Sequence, residues 1–268
     1  MRAFRLTHHP APTLALSLSA LLFGGCTTPA PPPVKSARHS PCDALAPATP
    51  APAIIDRHST PLYRYAICYP ALGTAGPALD PVLHVWAKRQ LAAFLSTASQ
   101  PRPQPWVYEL LIDMRIVAKG DGFVSVLASG YRFTGGAHGM PFLASFNLID
   151  GHLVTQPGQL FANAAQARAV LSTQARSVFA KRAAGGDTAW CFKDKKWLRA
   201  GTAPTPQNYA IATLTARDGQ ATGLRLYFPP YQVAPYACGT QTVDVPARVL
   251  YPLLAAADRA PFTARQSR

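Results

Sequence analysis

The 268-residue chain is 49% hydrophobic, with twelve Phe and ten Tyr, which excludes a disordered polypeptide. It carries 26 Lys and Arg against 12 Asp and Glu, a net charge of +14. The basic residues are scattered, the densest cluster being Lys193, Lys195 and Lys196 beside Trp197, and there is no Arg-rich tract, zinc-finger spacing or RNP-like aromatic motif, so nucleic acid is not expected as a partner.

Residues 1–25 read as a signal peptide. Arg2 and Arg5 form the positive start, and Leu14 to Phe23 form an apolar stretch of about ten residues, about half the length a membrane-spanning helix needs. Leu21-Leu22-Phe23-Gly24-Gly25-Cys26 resembles a lipobox, with Phe23 where Leu is usual, so Cys26 is the expected lipidation site. Thr27 follows it rather than Asp, as in Gram-negative lipoproteins sent to the outer membrane. Loss of residues 1–25 leaves 24 basic against 12 acidic residues. The expected location is periplasmic, held to the membrane by the lipid anchor.

Residues 26–53 form an expected Pro- and Ala-rich stalk, with Pro31-Pro32-Pro33 and Pro47, Pro50 and Pro52 favouring an extended backbone. With Cys26 lipidated, Cys42, Cys68, Cys191 and Cys238 remain, an even number in an oxidising compartment. Three connectivities are open; Cys42–Cys68 with Cys191–Cys238 is favoured. No C-x-x-C spacing occurs, so neither zinc nor thiol redox chemistry is expected.

The folded region divides into expected halves at 54–135 and 136–258, with a flexible tail over 259–268, frayed beyond Phe262. Tyr63 to Tyr69 alternate as a strand. After a loop over 73–77, Asp80 and Pro81 predict the start of a helix over 79–96, with Leu79, Val82, Leu83, Trp86, Ala93 and Phe94 on one face. Trp106 to Ile116 alternate again, Lys119 to Gly122 turn the chain, and Phe123 to Phe133 return as the hairpin partner. Phe142 to Ile149 form a strand that Asp150-Gly151 turns into His152 to Val154. Asn163 predicts the cap of a second helix, striped by Ala167, Leu171, Ala175, Val178 and Phe179, and Gly185-Gly186 stop it. Tyr209 to Thr215 and Thr222 to Phe228 flank Asp218-Gly219 as a hairpin, Thr242 to Val249 is the last strand, and Tyr251 to Ala257 is a short helix. With no βαβ alternation, the fold class is α+β with mostly antiparallel sheets and two main helices.

Two segments are candidates for binding. Gly135-Gly136-Ala137-His138-Gly139 lies between strands, and its glycines allow close backbone approach to an anion or a carbohydrate. It opens no helix and lacks a P-loop Lys, so it predicts no nucleotide site. A tight connection whose histidine bonds backbone accounts for the same residues. Phe228 to Gly239 holds prolines between Tyr231 and Tyr236, a stiff aromatic loop suited either to recognition or to packing across a sheet. Gly135, Gly136, His138, Tyr231 and Tyr236 are therefore the candidate binding residues. Neither G-x-S-x-G nor H-E-x-x-H occurs, so no catalytic residue, metal ligand or cofactor is expected.

The order strand, GGAHG, strand, Asp-Gly turn, Gln159-Leu160-Phe161 and helix, followed by the segment Phe228 to Gly239, resembles the RsiV/PdaC-like domain family over residues 55–252. That family includes the extracytoplasmic domain of a lysozyme-sensing anti-sigma factor and the N-terminal domain of a peptidoglycan deacetylase. The resemblance implies two intertwined halves and a non-catalytic domain at the cell envelope. No transmembrane helix or sigma-binding segment is recognised, so the signalling role is not expected. A basic chain would also repel a basic lysozyme at long range. The expected function is a non-enzymatic envelope lipoprotein that binds peptidoglycan or a lysozyme-like protein. A structural or assembly lipoprotein with a protein partner, and a wall-polymer hydrolase using His138 as acid or base, are the alternatives.

Overall fold

The computed structural model describes residues 54–101 and 106–262. The expected signal peptide, Cys26, Cys42 and the Pro-rich stalk lie outside the described residues. Among the described residues no helix is long and apolar enough to cross a membrane.

The fold is α+β. One six-stranded sheet has the order β1 (Ile54–Ser59), β2 (Tyr63–Tyr69), β3 (Tyr108–Gly120), β4 (Phe123–Phe133), β5 (Met140–Ile149) and β6 (His152–Val154). All its pairs are antiparallel except β2 with β3, which helix α1 (Gly76–Ala98) connects as a parallel crossover. Helix α2 (Ala164–Ala183), the short helix α3 (Lys195–Gly201), and the antiparallel sheet β7 (Ala212–Arg217), β8 (Gln220–Phe228), β9 (Gln241–Pro246) follow, and α4 (Ala247–Leu250) comes after them. The expected boundary at 135/136 falls between β4 and β5 of one sheet, and the chain leaves that sheet only after Val154. The halves interlock because β5 and β6 complete the sheet begun by the first.

Each sheet buries one face against one long helix. Leu79, Leu83, Ala87 and Phe94 of α1 pack on Ile67, Leu110, Ile112, Met114, Val126 and Phe146. Ala167, Leu171, Ala175 and Phe179 of α2 pack on Leu214, Leu224, Leu226, Phe228, Val243 and Val245. Phe123 and Ile149, from the ends of β4 and β5, and Val154 of β6 belong to this second core.

A buried polar seam joins the sheets. The outward edge of β7 would leave backbone groups without partners, and side chains of β4 and β5 supply them. Ala212 N donates to Ser145 Oγ at 3.1 Å, Leu214 N donates to Ser125 Oγ at 3.0 Å, and Asn147 Nδ2 donates to the Ala212 carbonyl at 3.0 Å. Ser125 Oγ in turn donates to Asn147 Oδ1 at 2.6 Å. Full satisfaction is what makes a buried polar group tolerable at such a join.

Several expected elements differ. Helix α1 begins at Gly76, not at Asp80, with Pro77 in its first turn and Pro81 inside it. The carbonyl that Pro81 leaves unpaired is that of Pro77, at the very start of the helix, where the loss is smallest. Ala93 is exposed, and Ala87 and Ala98 are buried instead. Strand β1 was not expected, since residues 55–59 are all exposed and carry no alternation of burial. The last strand ends at Pro246, which caps α4 in place of continued strand over 247–249. In place of the short helix expected over 251–257, Tyr251–Leu253 and Ala256–Asp258 form two separate 3-10 turns around an extended Leu254. The tail expected from residue 259 is in place as far as Phe262, which is 3% exposed and bridges to Ala221. Residues 263–268 lie outside the described residues.

Candidate functional site

The Gly-rich segment is the loop between β4 and β5. Gly135 and Gly136 have φ of 97° and 89°, a backbone region closed to most side chains. Gly139 is buried, and a Cβ there would overlap the Tyr131 ring. The glycines therefore have a structural cause, and they press the loop onto Trp106 and Tyr131. Gly139 N donates to Tyr131 Oη at 3.1 Å.

The same loop meets the second candidate segment. The exposed ring of His138 stacks on Tyr236, with centroids 4.1 Å apart and planes at 27°. Tyr236 Oη donates to the Gly139 carbonyl at 2.9 Å, and His138 Nδ1 lies 3.0 Å from that same oxygen. Tyr231 is 5.8 Å from Tyr236, and Trp197 lies parallel to Tyr231 at 6.4 Å and 10°. His138, Tyr236, Tyr231 and Trp197 thus form one continuous row of rings. Lys193, Lys195 and Lys196 are exposed beside Trp197.

Three devices hold this row. The Cys191–Cys238 disulfide ties the end of the aromatic loop to the segment ahead of α3. Asp194 caps α3 by accepting from Trp197 N at 2.8 Å, and Trp197 Nε1 donates to the Tyr231 carbonyl at 2.7 Å. Gln232 Nε2 donates to the carbonyls of Gly201 and Asn208 at 3.0 and 2.9 Å. Tyr231 adopts a φ of 70° while its ring is 44% exposed. A left-handed conformation in a bulky residue costs about 1–3 kcal/mol and persists only where surrounding bonds over-determine it.

Cys68 is also disulfide-bonded, and its expected partner Cys42 lies outside the described residues. No described carboxylate hydrogen-bonds to His138, whose one ring bond is to backbone. Burial raises the Tyr236 phenol above its ordinary range, with Tyr131 and Tyr231 adding to the effect. Among the described residues no group of three or more His, Cys, Asp or Glu could hold a metal ion. In the sequence Trp197 is marked only by the lysines beside it and Tyr131 only by its place in a strand, so neither signals a part in the site.

The two candidate segments also belong to separate family matches. A model described as deacetylase PdaC matches residues 59–141, and a model described as a protein of unknown function, DUF3298, matches residues 159–248. His138 lies in the first and Tyr236 in the second. Among solved structures, a DUF3298 family protein from Pseudomonas aeruginosa is 19% identical, with 79% of this chain and 95% of that chain covered and a TM-score of 0.45. A DUF3298 family member from Bacteroides fragilis is 14% identical, with 76% and 92% covered and a TM-score of 0.51, a likeness of fold. A comparison with curated proteins found no match. The two models follow one another along the strands and helices described above, and the chain belongs to the RsiV/PdaC-like family of extracytoplasmic domains.

Proposed function

We propose that this chain is a non-enzymatic lipoprotein of the bacterial envelope whose periplasmic domain binds peptidoglycan along the row His138, Tyr236, Tyr231 and Trp197. The observation that carries the reading is the row itself, with three exposed lysines at its Trp197 end. Rigid aromatic rings offer apolar faces to sugar rings at little entropic cost. The lysines attract the carboxylates of wall stem peptides, as does the basic charge of the chain. That charge also favours an anionic polymer over a basic lysozyme-like protein. Support for the compartment comes from the lipobox-like sequence at Cys26 and from the extracytoplasmic family. Support for a binding role without catalysis comes from His138, which bonds backbone and stacks on Tyr236.

The test is cosedimentation of the full-length protein, in mild detergent, with purified sacculi across a salt series, beside a parallel titration with lysozyme. Retention at moderate salt that falls about tenfold or more in Tyr231→Ala and Trp197→Ala is expected. Absence of retention removes the reading, and capture by lysozyme alone reassigns the row to a protein partner.

A further inference from the structure

A recess lies below the Gly-rich loop, on the face of β4 and β5 that packs against α1. Arg132 and Met140 are the last paired residues before that loop. With Trp86 and Gln90 from α1, and Phe142 and Leu143 from β5, they line a cavity of about 320 Å³. This is within the range of small-ligand sites.

Its apolar wall depends on Gly130. A Cβ there would overlap the Phe142 ring, so the glycine lets that ring lie flat on β4. Trp86 stands over the same ring at 6.2 Å and meets Phe146 edge-on at 5.7 Å. Met140 remains 43% exposed at the mouth.

The charge in the recess is uncompensated. Arg132 Cζ sits 5.3 Å over the Phe142 ring, and Nη2 donates to Gln90 Oε1 at 3.0 Å. With Oε1 engaged as the acceptor, the amide NH₂ of Gln90 is left as a donor. Arg132 Nε is buried without a hydrogen-bond partner, and no described carboxylate pairs with the guanidinium. None of the lining residues is acidic. A cation held over an aromatic ring, with a neighbouring amide donor and apolar walls, matches a carboxylate attached to a small apolar body.

We infer that this recess binds the carboxylate terminus of a short peptide with small apolar side chains, the chemistry at the end of a wall stem peptide. The carboxylate pairs with Arg132 and accepts from Gln90, and the terminal methyl groups lie against Trp86, Phe142 and Met140. The inference deepens the wall-binding reading by naming the part of the polymer that the domain takes.

The experiment is calorimetric titration of the full-length protein in detergent with N-acetyl-D-alanyl-D-alanine and with its C-terminal amide, together with the sacculus cosedimentation above. The acid is expected to bind at least about tenfold tighter than the amide, and Arg132→Met is expected to lose about that factor. The acid-to-amide comparison needs no variant, so a misfolded Arg132→Met leaves the test intact. Equal binding of acid and amide, no binding of either, or unchanged affinity in a folded Arg132→Met overturns the inference. Retention on sacculi without acid binding removes the recess and leaves the wall reading. Acid binding without retention removes the wall reading and assigns the recess to a free peptide.

Discussion

His138 and Tyr236 stack face to face at 4.1 Å, and the phenol of Tyr236 donates to the carbonyl of Gly139, the residue after that histidine. One tyrosine thus fixes both the ring and the backbone of the Gly-rich loop. Tyr236→Phe keeps the stack and loses a hydrogen bond, a change of about 0.5–1.5 kcal/mol in stability, with sacculus retention kept. Tyr236→Ala removes the middle of the ring row, and retention is expected to fall about tenfold. Cosedimentation beside urea unfolding separates the two effects.

The Cys191–Cys238 bond spans 47 residues, so its removal frees a long loop in the unfolded chain. The double Ser variant is expected to lose about 4 kcal/mol, the chain-entropy value for a loop of that length. Because Cys238 follows Tyr236 by two residues, sacculus retention should fall with it. Denaturant unfolding and cosedimentation are the measurements.

Gly201 closes α3 against the carbonyl of Gln232, and a Cβ at residue 201 would overlap that oxygen. Gly201→Ala is therefore expected to displace the loop carrying Tyr231 and to cost about 1–3 kcal/mol. A lowered Tm, with loss of the Trp197–Tyr231 stack in the near-ultraviolet circular dichroism, is the predicted signature. An unchanged spectrum contradicts it.

Asn147 serves both sheets, accepting from Ser125 and donating to the Ala212 carbonyl. Asn147→Leu leaves the Ala212 carbonyl without its donor and the Ser125 hydroxyl without its acceptor, at about 1–3 kcal/mol for each unmet group. Ser125→Ala strands one backbone N–H and one amide oxygen, at a cost of the same order. Urea unfolding of each variant and of the pair measures their coupling.

Tyr69 is buried under His84, which stacks on it at 4.2 Å, and burial pushes its phenol from 10.0 up to about 12. The folded state therefore holds this proton more tightly than the unfolded state. Stability from this group is full below pH 10, falls as the unfolded chain ionises, and is lost as the pH passes about 12. Tyr69→Phe should flatten that alkaline decline, which unfolding followed across pH 9–12 would show.

Much of the fold is local and was legible before any coordinates. Asp150-Gly151 and Asp218-Gly219 both have positive φ at both positions, as a hairpin turn of that composition requires. Asn163 accepts from Ala165 N and Gln166 N, and Ala167, Leu171, Ala175 and Phe179 of the expected stripe are buried, with Val178 half-buried. The Cys191–Cys238 pair was favoured and is present. Strand β1 was not legible, because a strand exposed on both faces leaves no periodic trace. Helix α3 was not either, because seven residues hold too few turns to show an apolar stripe.

The amino-acid order by itself determined where the chain turns, caps and alternates, since those depend on the φ preference of one residue or the spacing within one element. Tertiary structure alone decided that His138 meets Tyr236, that Trp197 extends their row, and that Arg132 faces an apolar recess without a carboxylate. Contacts between residues far apart in the chain depend on which sheet edges and helix faces pack together, and no local preference encodes that choice. The parallel pairing of β2 with β3 and the seam of Ser125, Ser145 and Asn147 set that packing, and the candidate surfaces follow from it.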